Sequence, residues 1–221
     1  MTLDEILQSP ELATLGAIML EQSKQKTQRK YAALNRLAKP GQIAMVGDSI
    51  VEGFPLQEFF EIPIYNRGIS GDKSGEMLKR LPDTVLPLKP KTAIIWVGTN
   101  DLQDEIPVGQ ICANVETAAK ILELECGSKI VLLSVAPVNT VSCDPNIRNT
   151  VGKRTNTAIE MLNAQYWKLC QTNGWYFVDI YPHLVCEGSL TEELSEDGLH
   201  PNIAGYIPVA KEITAMIKQT P

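Results

Sequence analysis

The chain has 221 residues, of which 44% are hydrophobic, enough for one domain with a continuous core. It contains no apolar run of about 18 residues that would span a membrane. Its formal net charge of −6 gives no electrostatic reason to expect a nucleic acid or an anionic membrane as a partner.

The start of the chain and the cysteines indicate the compartment. Residues 1–6 lack the basic start and apolar core of a signal peptide. The five cysteines are odd in number and scattered, which fits reduced thiols in a cytoplasmic protein better than a disulfide framework or a zinc site. We therefore expect a cytoplasmic protein without a metal or a cofactor.

The first 40 residues predict a helical extension. Apolar residues recur at helical spacing over residues 3–38, and Pro10 indicates a break. The basic stretch at residues 24–30 is typical of a solvated helix face, and the alternative is an arm that swaps onto a partner subunit. We place an N-terminal extension at residues 1–40, which is a candidate homo-oligomer interface, and one main domain at residues 41–221.

Five strand-like runs follow, and helical patterns separate them. Most of the runs are continuous β-branched or aliphatic stretches, as in parallel strands that are covered on both faces. They are residues 42–46, 62–69, 92–97, 129–135 and 175–180. The helical patterns are residues 74–87, 108–126, 150–173 and 202–218. This alternation predicts an α/β fold with a five-stranded parallel sheet, in which Pro63 indicates an edge position for the second strand.

Polar residues and glycines follow each predicted strand. They lie at residues 47–49, 66–72, 98–101 and 136–139, and the turn past the fifth strand leads to residues 197–201. Because the carboxyl ends of parallel strands meet at one edge of the sheet, we expect these groups to form a catalytic cleft.

Ser49 follows the first strand and begins a helix. A serine at this point can attack a carbonyl group, and its own backbone N–H can stabilise the resulting oxyanion. The alternative is that Asp48 or Ser49 serves only as a helix N-cap.

A serine nucleophile needs a base, and the chain has only two histidines, His183 and His200. Asp197 precedes His200 by three residues, a spacing that lets the carboxylate reach Nδ1 while Nε2 faces outward. The alternative for this pair is a helix N-cap beside a surface histidine. His183 is the rival base, but no carboxylate follows it at short range, and we interpret it as a loop or partly buried histidine.

Three donors are available for an oxyanion: the backbone N–H groups of Ser49 and Gly71 and the side-chain amide of Asn100. The alternatives are a turn glycine at position 71 and an Asx turn at position 100. The occurrence of all these features in order, each at a strand end, favours catalysis.

Four short sequence motifs that contain these residues resemble the four conserved blocks of the SGNH (GDSL-type) esterase and lipase superfamily. Gly-Asp-Ser at 47–49 implies Ser49 as nucleophile, and Ile-Ser-Gly-Asp at 69–72, as in bacterial thioesterase/lysophospholipases, implies Gly71 as an oxyanion donor. Gly-Thr-Asn-Asp at 98–101 implies Asn100 as the side-chain donor, and Asp-Gly-Leu-His-Pro at 197–201 implies Asp197 and His200. The resemblance covers roughly residues 42–218 and implies a flavodoxin-like three-layer α/β/α fold.

Two further features bear on the substrate. Ile50 stands where many members of the superfamily have leucine, a change that should keep the packing. The string at residues 96–100, with Lys-Pro-Lys at 89–91, is similar to the catalytic subunits of platelet-activating-factor acetylhydrolase, which implies short acyl groups.

The position of two loops suggests the walls of the pocket. We expect residues 138–150 and 182–196 to line it, with Leu102, Val138 and Leu199 as acyl contacts. Because no long apolar lid is evident, we also expect an open site and water-soluble substrates.

These features predict a serine esterase that hydrolyses small short-chain carboxylic esters. The alternatives are an acyltransferase with the same site, a lysophospholipase or thioesterase, and, least favoured, a non-catalytic ligand-binding module.

Overall fold

A five-stranded parallel sheet lies at the centre of the computed structural model, which describes residues 9–219. Its strands are β1 (Ile43–Gly47), β2 (Ile64–Gly68), β3 (Thr92–Trp96), β4 (Lys129–Leu133) and β5 (Tyr176–Val178). Their order across the sheet is β2-β1-β3-β4-β5, and every neighbouring pair is parallel. The residues of β1 and β3 are all buried, which explains their continuous apolar sequences.

Helices cover both faces of this sheet. They are α1 (Pro10–Asn35), α2 (Ser49–Glu52), α3 (Leu56–Phe59), α4 (Ser74–Thr84), α5 (Thr99–Gln103), α6 (Val108–Cys126), α7 (Pro145–Val151), α8 (Asn156–Asn173) and α9 (Ile203–Gln219). Alternate residues of the strands pack into two separate hydrophobic cores, one on each face of the sheet. Val46 belongs to the core on the side of α4, α6 and α8, and Met45 belongs to the core on the side of α9. The arrangement therefore has three layers, α/β/α.

The predicted fold class is confirmed, as is the edge position of the second strand, because β2 ends the strand order. The predicted helix over residues 150–173 is instead two helices, α7 and α8. The chain turns between them at Gly152, which has φ +60°.

The N-terminal helix begins at the predicted break. Pro10 is the first residue of α1, where proline needs no N–H acceptor, and the Ser9 side chain caps the helix by accepting from the N–H of Leu12. The part of the predicted helix at residues 3–8 lies outside the described residues.

Lys24 differs from its prediction. Most of the basic stretch at residues 24–30 is exposed as predicted, but Lys24 is only 7% exposed and packs against the loop that follows β2. Helix α1 therefore lies against the main domain, where it contacts α4. Within residues 9–219, none of the helices combines the length and the apolar character that crossing a bilayer requires.

Candidate active site

Ser49 lies at the carboxyl end of β1, at the first position of α2. Asp48 is the N-cap of this helix, and its Oδ1 accepts from the N–H of Ile50 at 3.0 Å. The Ser49 hydroxyl is thus left for another partner, and its Oγ lies 2.9 Å from Nε2 of His200. Asp48 is therefore the helix cap and Ser49 is the candidate nucleophile, so the two roles fall on neighbouring residues and do not compete.

Asp197 and His200 form a pair within one short loop. Asp197 Oδ2 lies 2.8 Å from His200 Nδ1, while Oδ1 accepts from the backbone N–H groups of Leu199 and His200 at 3.1 and 2.9 Å. Partial burial opposes ionisation of Asp197, but the hydrogen bonds from His200 and Leu199 outweigh it and hold its pKa below the ordinary value. A carboxylate here keeps the proton on Nδ1, so Nε2 offers a lone pair to Ser49.

The other histidine lies elsewhere. His183 is exposed, and its Nε2 lies 3.4 Å from Glu212 on helix α9. Of the two candidate bases, His200 lies within hydrogen-bonding distance of Ser49, whereas His183 lies beside Glu212.

Gly71 lies in a tight turn at the end of β2. The turn closes with a hydrogen bond from the N–H of Asp72 to the carbonyl of Ile69, and Gly71 occupies its third position with φ +77°. This is the geometry of a type II turn, which favours glycine at that position. The N–H of Gly71 has no acceptor within the part of the chain that the structure describes, so it is available to an incoming oxyanion.

Asn100 lies in the next block, at the start of α5 after β3. Its Nδ2 donates to the carbonyl of Asp72 at 3.1 Å, so it lies against the same turn that carries Gly71. The adjacent Asp101 is fully buried and accepts from the N–H and the hydroxyl of Ser74. These contacts join the second and third blocks into one structure.

Arg154 orients the Asn100 amide, a role that the sequence did not reveal. Its Nη2 donates to Asn100 Oδ1 at 2.9 Å, and the guanidinium is anchored on the carbonyls of Thr99, Thr150 and Val151. Because a guanidinium only donates, a flipped amide would set its NH₂ group against other donors. Arg154 therefore keeps the Nδ2 group of Asn100 on the side of the turn.

Glu52 is a second residue that the sequence did not reveal. It lies one helical turn after Ser49, and its Oε2 accepts from the backbone N–H and the hydroxyl of Ser70 at 2.7 and 2.6 Å. It thereby ties the nucleophile helix to the turn of Gly71. A lone glutamate after Gly-Asp-Ser gives no sequence signal for this contact.

A cavity of about 320 Å³ opens beside the serine. The residues around it are Ser49, Glu52, Gly53, Ser70, Glu196, His200, Pro201, Ile203 and Tyr206.

Leu102, Val138 and Leu199, which we predicted as acyl contacts, do not line this cavity but belong to the core beneath the sheet edge. Of the two loops predicted to wall the pocket, residues 182–196 contribute Glu196, and residues 138–150 contribute nothing to the lining.

Within residues 9–219, no three His, Cys, Asp or Glu side chains are grouped so that they could hold an ion. All five cysteines are free thiols.

Comparisons with known proteins identify the family of the chain. A model of the GDSL-like Lipase/Acylhydrolase family matches residues 45–206, most of the chain. A solved structure from Streptococcus pneumonia, provisionally described as a platelet activating factor, superimposes with a TM-score of 0.89 at 30% identity, covering 95% of this chain and all of the other.

Two curated proteins are also similar. Esterase TesA of Pseudomonas aeruginosa is 25% identical over 187 residues, which are 85% of this chain and 83% of TesA. N-acylneuraminate cytidylyltransferase of Escherichia coli is 26% identical over 188 residues, 83% of this chain. This chain spans only 42% of that longer protein.

Proposed function

Since the chain belongs to the GDSL-like lipase/acylhydrolase family, we propose that it is a serine esterase that hydrolyses short-chain carboxylic esters. The observation that carries the proposal is the unbroken chain of hydrogen bonds from Ser49 Oγ through His200 to Asp197, at 2.9 and 2.8 Å. This series of hydrogen bonds ends at Ser49, at the carboxyl edge of a parallel sheet, where α/β folds bind their ligands.

The first half of the reaction forms an acyl-enzyme. Ser49 Oγ attacks the ester carbonyl while Nε2 of His200 takes its proton, and Asp197 stabilises the imidazolium. The N–H groups of Ser49 and Gly71 and the Nδ2 group of Asn100 stabilise the oxyanion. Collapse of the tetrahedral intermediate expels the alcohol, which leaves with the proton held by His200.

The second half repeats these steps with water. His200 takes a proton from the water molecule that attacks the acyl group on Ser49, and the same three donors hold the second oxyanion. Return of the proton to Ser49 releases the carboxylic acid and restores the enzyme.

The cavity supports small esters. Its volume is about 320 Å³, and its lining includes the polar side chains of Glu52, Ser70, Glu196 and His200 beside the serine. A long acyl chain would need an extended apolar surface, and the lining contains only Ile203 and the Tyr206 ring as large apolar groups.

Hydrolysis of p-nitrophenyl acetate by the wild-type protein and by Ser49→Ala tests the proposal. We expect the substitution to lower kcat/KM by about 10⁴-fold or more, because it removes the nucleophile. Equal rates for the two proteins would contradict the proposal. A series of p-nitrophenyl esters from acetate to palmitate then tests the acyl length, and a maximum at long chains would contradict the short-chain assignment.

Three alternative functions would use the same cleft, and a separate experiment distinguishes each of them from ester hydrolysis. An acyltransferase would give new esters when alcohols are added, whereas free acid as the sole product supports hydrolysis. A lysophospholipase or thioesterase would prefer those substrates in the same comparison of kcat/KM. A ligand-binding module would not react with a fluorophosphonate.

Self-association through the N-terminal helix stays a prediction. Helix α1 exposes several large apolar side chains, as such an interface requires: Leu12, Leu15, Ile18, Met19 and Leu34. Size-exclusion chromatography with light scattering gives the mass in solution, and a monomer at micromolar concentrations would contradict the prediction.

A further inference from the structure

Helix α1 lies outside the residues that match the family, yet it contacts Gly71 and the strand end just before its turn. Tyr31 Oη donates to the carbonyl of Gly68, the last residue of β2, at 2.8 Å. Lys24 Nζ donates to the carbonyl of Gly71 itself, also at 2.8 Å. The side chain of Leu20 packs so closely on Gly71 that an added Cβ would lie 3.0 Å from its Cδ2 atom.

Lys24 is a buried cation with defined partners. It also donates to Glu76 at 2.9 Å and lies 3.8 Å from Asp72, and its side chain is only 8% exposed. Burial opposes ionisation of Glu76, but the hydrogen bonds from Lys24 and from the N–H of Lys73 hold its pKa below the ordinary value. The ammonium group is therefore fixed on one carbonyl and one carboxylate.

Glu52 also holds the turn. Glu52 accepts from the N–H of Ser70, which belongs to the peptide group before the central one of the turn. Lys24 donates to the carbonyl of the peptide group after it. Both neighbours of the central peptide are thus fixed, and the central peptide is the one that carries the N–H of Gly71.

The direction of that N–H depends on the type of turn. Type I and type II turns differ by a rotation of the central peptide of about half a turn, which reverses the direction of its N–H. Glycine adopts either sign of φ at little cost, so Gly71 does not by itself select one type. Lys24 and Leu20 of α1 contact Gly71 in the form with φ +77°.

We propose that Lys24 and Tyr31 are positioning residues that hold the Gly71 N–H in place for the oxyanion. Helix α1 is then part of the catalytic apparatus and not only an appendage of the domain. This inference rests on the proposed esterase function, and it concerns how well the transition state is stabilised.

Lys24→Met tests the inference, because it keeps most of the aliphatic stem and removes the donor. We expect kcat for p-nitrophenyl acetate to fall by about 10- to 100-fold with KM changed less than twofold, below the 10²–10³-fold loss typical of deleting a whole oxyanion donor. Inhibition by phenylboronic acid, whose serine adduct places an oxygen in the oxyanion site, should weaken by a similar factor. A purely structural role would not move kcat and boronate affinity together while sparing KM.

Lys26→Met is the matched control, since Lys26 lies on the exposed side of the same helix, and it should keep wild-type kcat. Tyr31→Phe is the second variant if Lys24→Met does not fold, because it deletes one hydroxyl and keeps the ring. We expect it to lower kcat severalfold at unchanged KM.

Wild-type kcat in Lys24→Met, or in Tyr31→Phe where the first variant does not fold, would overturn the inference. An inactive wild-type protein would instead overturn the proposed function, so the two failures are distinguishable.

Discussion

The two halves of the candidate site are built in different ways. The Asp197–His200 pair, which the proposed mechanism uses as the base, is local: the two residues are three apart, and among the described residues the hydrogen bonds to the Asp197 carboxylate come from one loop. The proposed oxyanion half is held by residues that are distant in sequence, since Lys24 contacts the Gly71 carbonyl and Arg154 the Asn100 amide from 47 and 54 residues away. The pair can form within a short loop, whereas its contact with Ser49, 151 residues away, and the oxyanion half both require the domain to be folded.

The two halves also differ in burial and in electrostatics. The side chains of His200 and Asp197 are 31% and 38% exposed, whereas Asp72 and Asp101 on the oxyanion side are completely buried. Hydrogen bonds outweigh burial at Asp197 and lower its pKa, but burial prevails at Asp72 and Asp101 and raises theirs. The oxyanion half therefore contains carboxyl groups that are costly to ionise. Arg80 and Lys24 offset that cost at Asp72, and the hydrogen bonds from Ser74 offset it at Asp101.

After Ser49→Ala, the largest effect is expected in the local half, from Asp197→Asn. An amide removes the charge that stabilises the imidazolium and no longer fixes the His200 tautomer, so kcat should fall by about 10³–10⁴-fold. Hydrolysis of p-nitrophenyl acetate measures it, with Glu193→Gln in the same segment as the control. A loss of less than tenfold would show that His200 does not depend on Asp197.

Asn100→Ala is the corresponding change in the oxyanion half. Loss of one preorganised donor should lower kcat by about 10²–10³-fold with little change in KM. Asn173, at the end of α8, offers Asn173→Ala as a control remote from the cleft. A rise in KM with unchanged kcat would mean that Asn100 binds substrate and does not stabilise the transition state.

Arg154→Lys should have a smaller effect that depends on Asn100. Lysine keeps the charge but cannot bind Asn100 and the backbone carbonyls together, so we expect kcat to fall by about tenfold. In a double-mutant cycle, the same change should cost almost nothing in the Asn100→Ala background. If the two losses multiply instead, Arg154 does not act through the Asn100 amide.

Asp48→Asn should change stability more than activity. Burial raises the pKa of Asp48 to about 7, so the folded protein binds this proton more tightly than the unfolded chain. The resulting stabilisation is present at acidic pH and is lost as pH rises towards about 7. Asparagine can still accept from the N–H of Ile50 but carries no charge, so the variant should lose less stability between pH 5 and pH 8.

Urea unfolding at several pH values measures this difference, which we expect to be on the order of 1–3 kcal/mol at pH 8 in favour of the variant. The sign is opposite to that of Asp197, whose lowered pKa contributes stability that is lost on acidification. Identical pH slopes for the two proteins would show that Asp48 titrates at its ordinary pKa.

The contrast between the two halves also explains which site residues could be predicted from the sequence. Parallel strands bring their carboxyl ends together, so residues after separate strands can be expected to meet, and Ser49 and His200 indeed lie within hydrogen-bonding distance. The Asp-x-x-His spacing adds a local signal for the pair at 197 and 200.

The supporting residues give no such signal. Lys24 and Arg154 bind backbone carbonyls, which any sequence provides, and a charged residue in a polar stretch is usually solvated. The residues predicted as acyl contacts do not line the cavity for a related reason, because an apolar residue near a strand end fits the core as well as a pocket, and Val138 is completely buried.

The most direct test of the proposed mechanism is the site of fluorophosphonate labelling, determined by peptide mass spectrometry. We predict one label per chain on Ser49, none in Ser49→Ala, and much slower labelling in His200→Ala. An active protein that stays unlabelled, or that carries the label on another residue, would contradict Ser49 as the nucleophile on which both halves of the site converge.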